Sequence, residues 1–218
     1  MPVYRERITP PTEAMKMALR MGPFSESPLM PSAGHVIFDL RDMVGNPLAY
    51  WEADNIITLD AGILAGRLFK NSLDPNASQN NGLTMLGVGT GATGNILSPD
   101  APQNTQRKLN TEIARKVFAS TQFRNGSGVA VAYPTRIVDF VTTFGESEAV
   151  GPLNEMALMS TYSLNPLTLN PINNGPNDYD ASIDVTGKDL IANYLTFGVV
   201  TKPALSVLTV TWRLTFGG

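Results

Sequence analysis

Leu208, Val210, Trp212, Leu214 and Phe216 alternate with Thr209, Thr211, Arg213 and Thr215. Successive side chains of a β-strand point to opposite faces, so this period of two defines a strand with one apolar and one polar side. Such a strand fits an antiparallel sheet that packs one face and wets the other, and the sequence supplies partners for it. The runs at residues 35–40 and 48–51 flank the turn cluster Val44-Gly45-Asn46-Pro47 and read as a hairpin. Further strands are expected over residues 83–88, 117–123, 129–144, 156–164, 193–201 and 205–216.

Two stretches carry helical spacing instead. Thr58 is placed to cap a helix running to Asn71, with Asp60 in its first turn and Leu59, Ile63, Leu64 and Leu68 on one face. The second helix is expected over residues 105–117. There Glu112 and Arg115 lie three apart on one helical face and can pair, and Glu155, after the turn at Gly151-Pro152, is placed to reach Arg115. Residues 165–180, with Pro166, Pro171 and Pro176, read as a long surface loop. The expected fold is mainly β (α+β): an antiparallel β-sandwich with two short helices covering an edge or end. Trp212, on the apolar face of its strand, belongs in the core.

The first 33 residues break from this pattern. They hold Pro2, Pro10, Pro11, Pro23, Pro28 and Pro31, together with Met1, Met15, Met17, Met21 and Met30 out of nine methionines in the chain. Between the prolines, Thr12 can cap a short helix with Ala14, Met15, Ala18 and Leu19 on one face and Gly22 as its stop. A helix of about ten residues is marginal alone. Two readings stand side by side: a frayed terminus, or an extended arm that orders on a partner through Met15, Leu19, Met21, Phe24 and Met30. The division is therefore an arm over residues 1–33 and a β-rich structural domain over residues 34–218.

Charge and residue types narrow the chemistry. Lys and Arg total 16 against 19 Asp and Glu, for a net charge of -3 with no block of like sign. Phosphate contacts draw on clustered cations, so no nucleic-acid partner is expected. No apolar run approaches the roughly 20 residues that span a bilayer, and the start Met1-Pro2-Val3-Tyr4-Arg5-Glu6-Arg7 leads into no signal-type apolar core, so neither a membrane nor an export route is expected. Zero Cys excludes a disulfide framework and a thiolate zinc site, and the lone His35 excludes a histidine cluster or triad within one chain.

Gly89-Thr90-Gly91-Ala92-Thr93-Gly94 matches the G-x-G-x-x-G string of dinucleotide sites. Pro99 and Pro102 block a helix start close enough to aim amides at a phosphate, so the string reads as a tight turn. Asp39, Asp42, Glu52, Asp54, Glu146 and Glu148 read as solvated surface charge. The expectation is a protein without catalytic residues, metal or cofactor.

The order of several short elements adds a resemblance. Asn55-Ile56-Ile57, then Leu86-Gly87-Val88-Gly89-Thr90-Gly91, then Leu109-Asn110-Thr111-Glu112-Ile113-Ala114-Arg115, then Asn154-Glu155-Met156-Ala157-Leu158, and the strand from Leu208 to Phe216 follow one another. This order resembles a family of tailed-bacteriophage virion proteins over roughly residues 50 to 216, with Ala157 where that family tends to carry glycine. The resemblance implies a structural subunit of a tail, baseplate or fibre attachment, assembled in the host cytoplasm and contacting other virion proteins and copies of itself in a homo-oligomer. A capsid decoration or cement protein is the alternative within that class. A carbohydrate-binding module is the alternative outside it, because sandwich loops readily carry such sites.

Overall fold

Asp42 closes the first hairpin. Its carboxylate accepts from Val44 N at 2.9 Å and from Asn46 N at 2.8 Å, and Gly45 takes a φ of 91°, a left-handed conformation that glycine adopts without steric cost. The turn joins β1 (Pro31–Asp42) to β2 (Pro47–Ile57) with Phe38 opposite Trp51. The computed structural model describes residues 31–58, 61–62, 82–161, 167–169 and 189–216. Its remaining strands are β3 (Met85–Gly89), β4 (Gly94–Asn95), β5 (Ser98–Pro99), β6 (Glu112–Val117), β7 (Ser120–Arg124), β8 (Ala130–Val131), β9 (Ile137–Phe144), β10 (Gly151–Ser160), β11 (Leu167–Leu169), β12 (Leu190–Lys202) and β13 (Ser206–Phe216).

Eleven of these strands form one sheet in the order β11-β6-β3-β10-β12-β2-β1-β13-β9-β7-β8, and every pairing is antiparallel. The connections nest around the β1–β2 hairpin. Three residues, 203–205, link β12 to β13, which stand three places apart in the sheet. In a flat sheet that gap is about 14 Å, the full stretch of such a link, yet this one is folded into a turn with Ser206 Oγ donating to Pro203 O at 2.6 Å. Six residues, 145–150, likewise join β9 to β10, five places apart. The sheet must therefore curl until its halves face each other. The two links meet at that closed end, where Ser147 N donates to Ala204 O at 2.9 Å. The buried Lys202 ammonium donates to Gly145 O at 2.9 Å and to Ser206 O at 3.0 Å. Burial pulls the Lys202 pKa down, and the nearby Glu148 carboxylate opposes that pull.

The main core lies inside the curl. Val36, Phe38 and Leu40 of β1, Val138, Phe140 and Phe144 of β9, and Leu208, Val210, Trp212 and Leu214 of β13 pack against Leu86, Val88, Leu153, Met156, Leu158, Leu195 and Phe197 from the other half. Outer faces differ between the halves. Around β13 the outer face is polar, with Asp139 bridging Arg124 (2.8 Å) and Arg213 (2.7 Å) across β7, β9 and β13. Around β10 the second face is also covered, by Met85, Leu109, Ala157, Met159, Ile191 and Tyr194. A strand buried on both sides shows a continuous apolar run rather than alternation, which explains why β3 and β10 lack the clean period of β13.

Several expectations change against this frame. The expected pair of sandwiched sheets is one continuous sheet, joined through β2 and β12 at Ile57↔Asn193 and Ile56↔Tyr194. The helix expected over residues 105–117 is absent: residues 105–111 are loop and Glu112–Val117 is β6. Its spacing misled because of a bulge. Val88 pairs with Ala114 while Gly89 pairs with Glu112, so Ile113 is an extra residue, and Glu112 and Arg115 come to share a face as they would on a helix. Of the helix expected from Thr58 to Asn71, Ala61 and Gly62 are helical, and residues 59–60 and 63–71 lie outside the described residues. Thr58 accepts from Ala61 N through its carbonyl, as a cap does, but its hydroxyl donates to the Ile191 and Ala192 carbonyls of β12. The arm, apart from the three residues 31–33 that open β1, lies outside the described residues, and with it Met15, Leu19, Met21, Phe24 and Met30. Most of residues 165–180 does too, apart from the short edge strand β11.

On the polar outer face, His35 sits opposite Asp54, with Nδ1 3.1 Å from Asp54 Oδ1 and Nε2 2.9 Å from Glu52 Oε2. Hydrogen bonds to Asp54 and then to Glu52 raise its pKa above the ordinary imidazole value near 6.5. A raised folded value means that protonated His35 adds stability fully below about pH 6.5 and loses that contribution as pH rises through the folded value. The ring is exposed enough for solvent to keep the effect small. The lone histidine gives one imidazole signal in an NMR titration. Its midpoint is expected above that of an unfolded chain and to fall when Asp54→Asn and Glu52→Gln are combined; an unshifted midpoint in the native protein would contradict the pairing.

Candidate functional site

The densest polar cluster among the described residues begins with two neighbours on β10. Glu155 is fully buried, and its carboxylate accepts four hydrogen bonds. Oε1 takes Gly91 N at 2.9 Å and Thr111 N at 2.9 Å. Oε2 takes Asn110 N at 3.1 Å and the Tyr194 hydroxyl at 2.7 Å. Beside it, Asn154 Oδ1 accepts from Ala92 N at 3.0 Å. Burial, reinforced by the Glu155 charge, pushes the Tyr194 phenol far up, so it stays protonated as a donor. A carboxylate that meets donors on all sides in a dry site is held in one orientation, and so are the backbones that donate to it.

What this arrangement holds is the glycine string and the segment ahead of β6. Thr90 N donates to Thr111 O at 2.9 Å and Asn110 Nδ2 donates to Gly91 O at 3.0 Å, so the two loops are laced together around the carboxylate. Gly89 is glycine because of crowding. A Cβ there would stand 2.5 Å from Thr111 O and 2.7 Å from Glu155 Oε1. Gly94 answers to conformation as well, with a φ of 89°. The amides that a phosphate would need are already taken: those of Thr90, Gly91 and Ala92 point to Thr111 O, Glu155 and Asn154. The string is a clasped turn leading into the small β4–β5 hairpin.

A second cluster sits on β6. Arg115 is buried, with Nε 2.5 Å from Glu112 Oε1, Nη2 2.7 Å from Glu112 Oε2, and Nη1 donating to Asp189. A guanidinium fork meeting a carboxylate at two points is a directional contact. Its chain partners are 3 and 74 residues away, so it ties the start of β12 to β6. Such buried pairs specify arrangement more than they add net stability.

The residues singled out in the sequence therefore distribute as follows. Glu112 and Arg115 come together through the bulge. Glu155 is bonded to backbone amides and Tyr194 rather than to Arg115. Trp212 is fully buried in the main core, its Nε1 donating to Asn55 Oδ1 at 3.2 Å. Trp51 stacks on Phe38 at 4.9 Å and packs on Phe197 at 4.8 Å, so both tryptophans face the inside of the curl. Asp189, Tyr194 and Lys202 carried no signal in the sequence. Tyr194 shares a packed cluster with Ile191, three residues away, and a register shift opposite Leu158 and Met159 breaks the alternation that would have shown its side. No group of His, Asp and Glu able to hold a metal ion occurs among the described residues. No protein-family model matches the chain, and no curated protein matches it either.

Proposed function

We propose that this chain is a non-enzymatic structural subunit of a tailed-phage virion, a tail, baseplate or fibre-attachment protein that docks on neighbouring subunits through residues 1–33 and its loops. The observation that carries the reading is the Glu155 clasp. Three of the five short elements whose order resembles the virion family meet there: the glycine string, the Leu109–Arg115 segment and Asn154-Glu155. Spacing alone would not make scattered motifs converge on one carboxylate.

The use made of the charged groups supports the same reading. Glu155, Glu112, Arg115 and Asp189 are buried and engaged within the chain, fixing loops and strands. Groups held that way supply shape. A subunit of an assembly needs rigid loops at constant positions, since each interface residue ordered beforehand lowers the entropic cost of association.

The test uses particles. The protein is expected in purified virions at stoichiometric level, with no hydrolysis of glycans, esters or nucleotides. Removing residues 1–30, which keeps all of β1, is expected to abolish incorporation into particles while leaving the folded domain. Turnover that tracks the folded protein, or normal incorporation without those residues, would overturn the proposal.

A further inference from the structure

β2 is an inner strand of the sheet by order, yet most of its length has a neighbour on one side only. It is eleven residues long, and two of them, Ile56 and Ile57, pair with β12. Over Pro47–Asn55, among the described residues, it is bonded to β1 alone. The β12 side of this seam is taken: Val199 N donates to Ile96 O at 2.9 Å and Thr196 Oγ1 donates to Asp100 O at 2.9 Å, which seats the β4–β5 hairpin there. Among the described residues, the side of β2 away from β1 is thus a free strand edge nine residues long. The terminal edges of the sheet are shorter, at two residues in β8 and three in β11.

The edge leaves side chains incompletely covered as well. Val36, Phe38 and Leu40 of β1 are fully buried, whereas their inward-facing counterparts Ala49, Trp51 and Ala53 on β2 are partly exposed. Trp51 Nε1 is shielded from solvent and has no hydrogen-bond partner among the described residues. A buried donor without an acceptor costs about 1–3 kcal/mol, and a long open edge is a template for another strand.

We infer that residues 3–9 of a neighbouring copy add to the free edge of β2 as an extra strand. This rests on the reading of residues 1–33 as an arm that docks on neighbours. Val3-Tyr4-Arg5-Glu6-Arg7-Ile8-Thr9 is a seven-residue run bounded by Pro2 and Pro10, which suits a strand of this length since proline ends a ladder. Arg5 and Arg7 fall on one face at a spacing of two, the spacing of Glu52 and Asp54 on the exposed face of β2, whose side chains are 44% and 92% open to solvent. Opposite charges on facing strands stabilise the pair. The other face carries Tyr4, Glu6 and Ile8, which brings an acceptor between two apolar side chains toward the seam that holds Trp51. The length of chain between residue 9 and the start of β1 gives residues 3–9 the reach to a neighbouring copy. Main-chain bonds supply affinity in such additions, and alternate side chains set register.

The absence of cysteine makes the test direct. Full-length chains carrying Arg5→Cys or Arg7→Cys are mixed under mild oxidation with separately tagged full-length chains carrying Tyr50→Cys, Glu52→Cys or Asp54→Cys, with Thr211→Cys on β13 as control. A disulfide-linked pair of differently tagged chains is expected at one register of β2, absent with Thr211→Cys, and lost when the remaining arginine of the pair is changed to Glu. Cross-linking equal to the control overturns the inference, as does a double variant such as Arg7→Cys with Glu52→Cys that closes within one chain. If deletion of residues 1–30 still blocks incorporation into particles while no such cross-link forms, strand addition fails and docking through the arm stands.

Discussion

Replacing Glu155 by Gln is expected to lower stability by about 2–4 kcal/mol, although the side chain keeps its shape. The carboxylate is buried and surrounded by donors: the amides of Gly91, Thr111 and Asn110 and the hydroxyl of Tyr194. A carboxamide offers one acceptor and turns an NH2 toward the rest. The tyrosine hydroxyl can rotate to accept, but at least one backbone amide is left without a partner, and charge-assisted bonds become neutral ones. Glu155→Ala is expected to cost as much or more. Denaturant midpoints measure the loss, and amide exchange should locate the loosening in residues 89–94 and 109–111 ahead of the rest. A midpoint unchanged in Glu155→Gln would mean that the loops hold their conformation without the clasp.

Trp212→Ala should destabilise by roughly 3–5 kcal/mol, the range for deleting a buried aromatic. Trp212 is fully buried and pairs with Val36 on one side and Phe140 on the other, at the middle of the packed face of β13. Little around it can collapse into the space, because its neighbours are held in register by two ladders. Trp212→Phe separates the contributions: it keeps most of the packing and removes the bond from Nε1 to Asn55 Oδ1, so about 1 kcal/mol beyond the lost volume is expected. Thermal melts of the isolated protein would read both. A melting temperature unaffected by Trp212→Ala would contradict the placement of this face in the core.

How much of this was legible in the sequence depended on whether a strand is wet on one side. β13 alternates because its outer threonines and Arg213 meet solvent, and the β1–β2 hairpin shows itself through the turn cluster from Val44 to Pro47. β3 and β10 are covered on both faces, so they display no period to read. β6 reads as helix in the sequence because a bulge at Ile113 gives Glu112 and Arg115 the spacing of a helical turn; that bulge depends on pairing with Gly89, a long-range fact that no local pattern carries. The same holds for the clasp. Glu155 was picked out, but its partners were not, since the donors are backbone amides, which every residue has. Asp189 and Tyr194 enter the clusters only through the register of β12. The single curled sheet likewise needed lengths that local patterns do not provide: it follows from how short the two crossing links are.

The pairing of β1 with β13 sets the order in which this molecule can be made. β1 occupies residues 31–42 and its ladder partner residues 206–216, so β1 leaves the ribosome well before the strand it pairs with. Until β13 emerges, the hairpin has its apolar face uncovered, and the curl cannot close because the link from β12 to β13 does not yet exist. Contacts this distant along the chain make for slow folding and leave adhesive intermediates in the meantime. A chain stopped short of β13 would accordingly not be a smaller version of the protein but an aggregation-prone fragment. β13 thus acts as the latch of the fold, since only a chain that already carries it can bury Phe38 and present its remaining edge in a defined form.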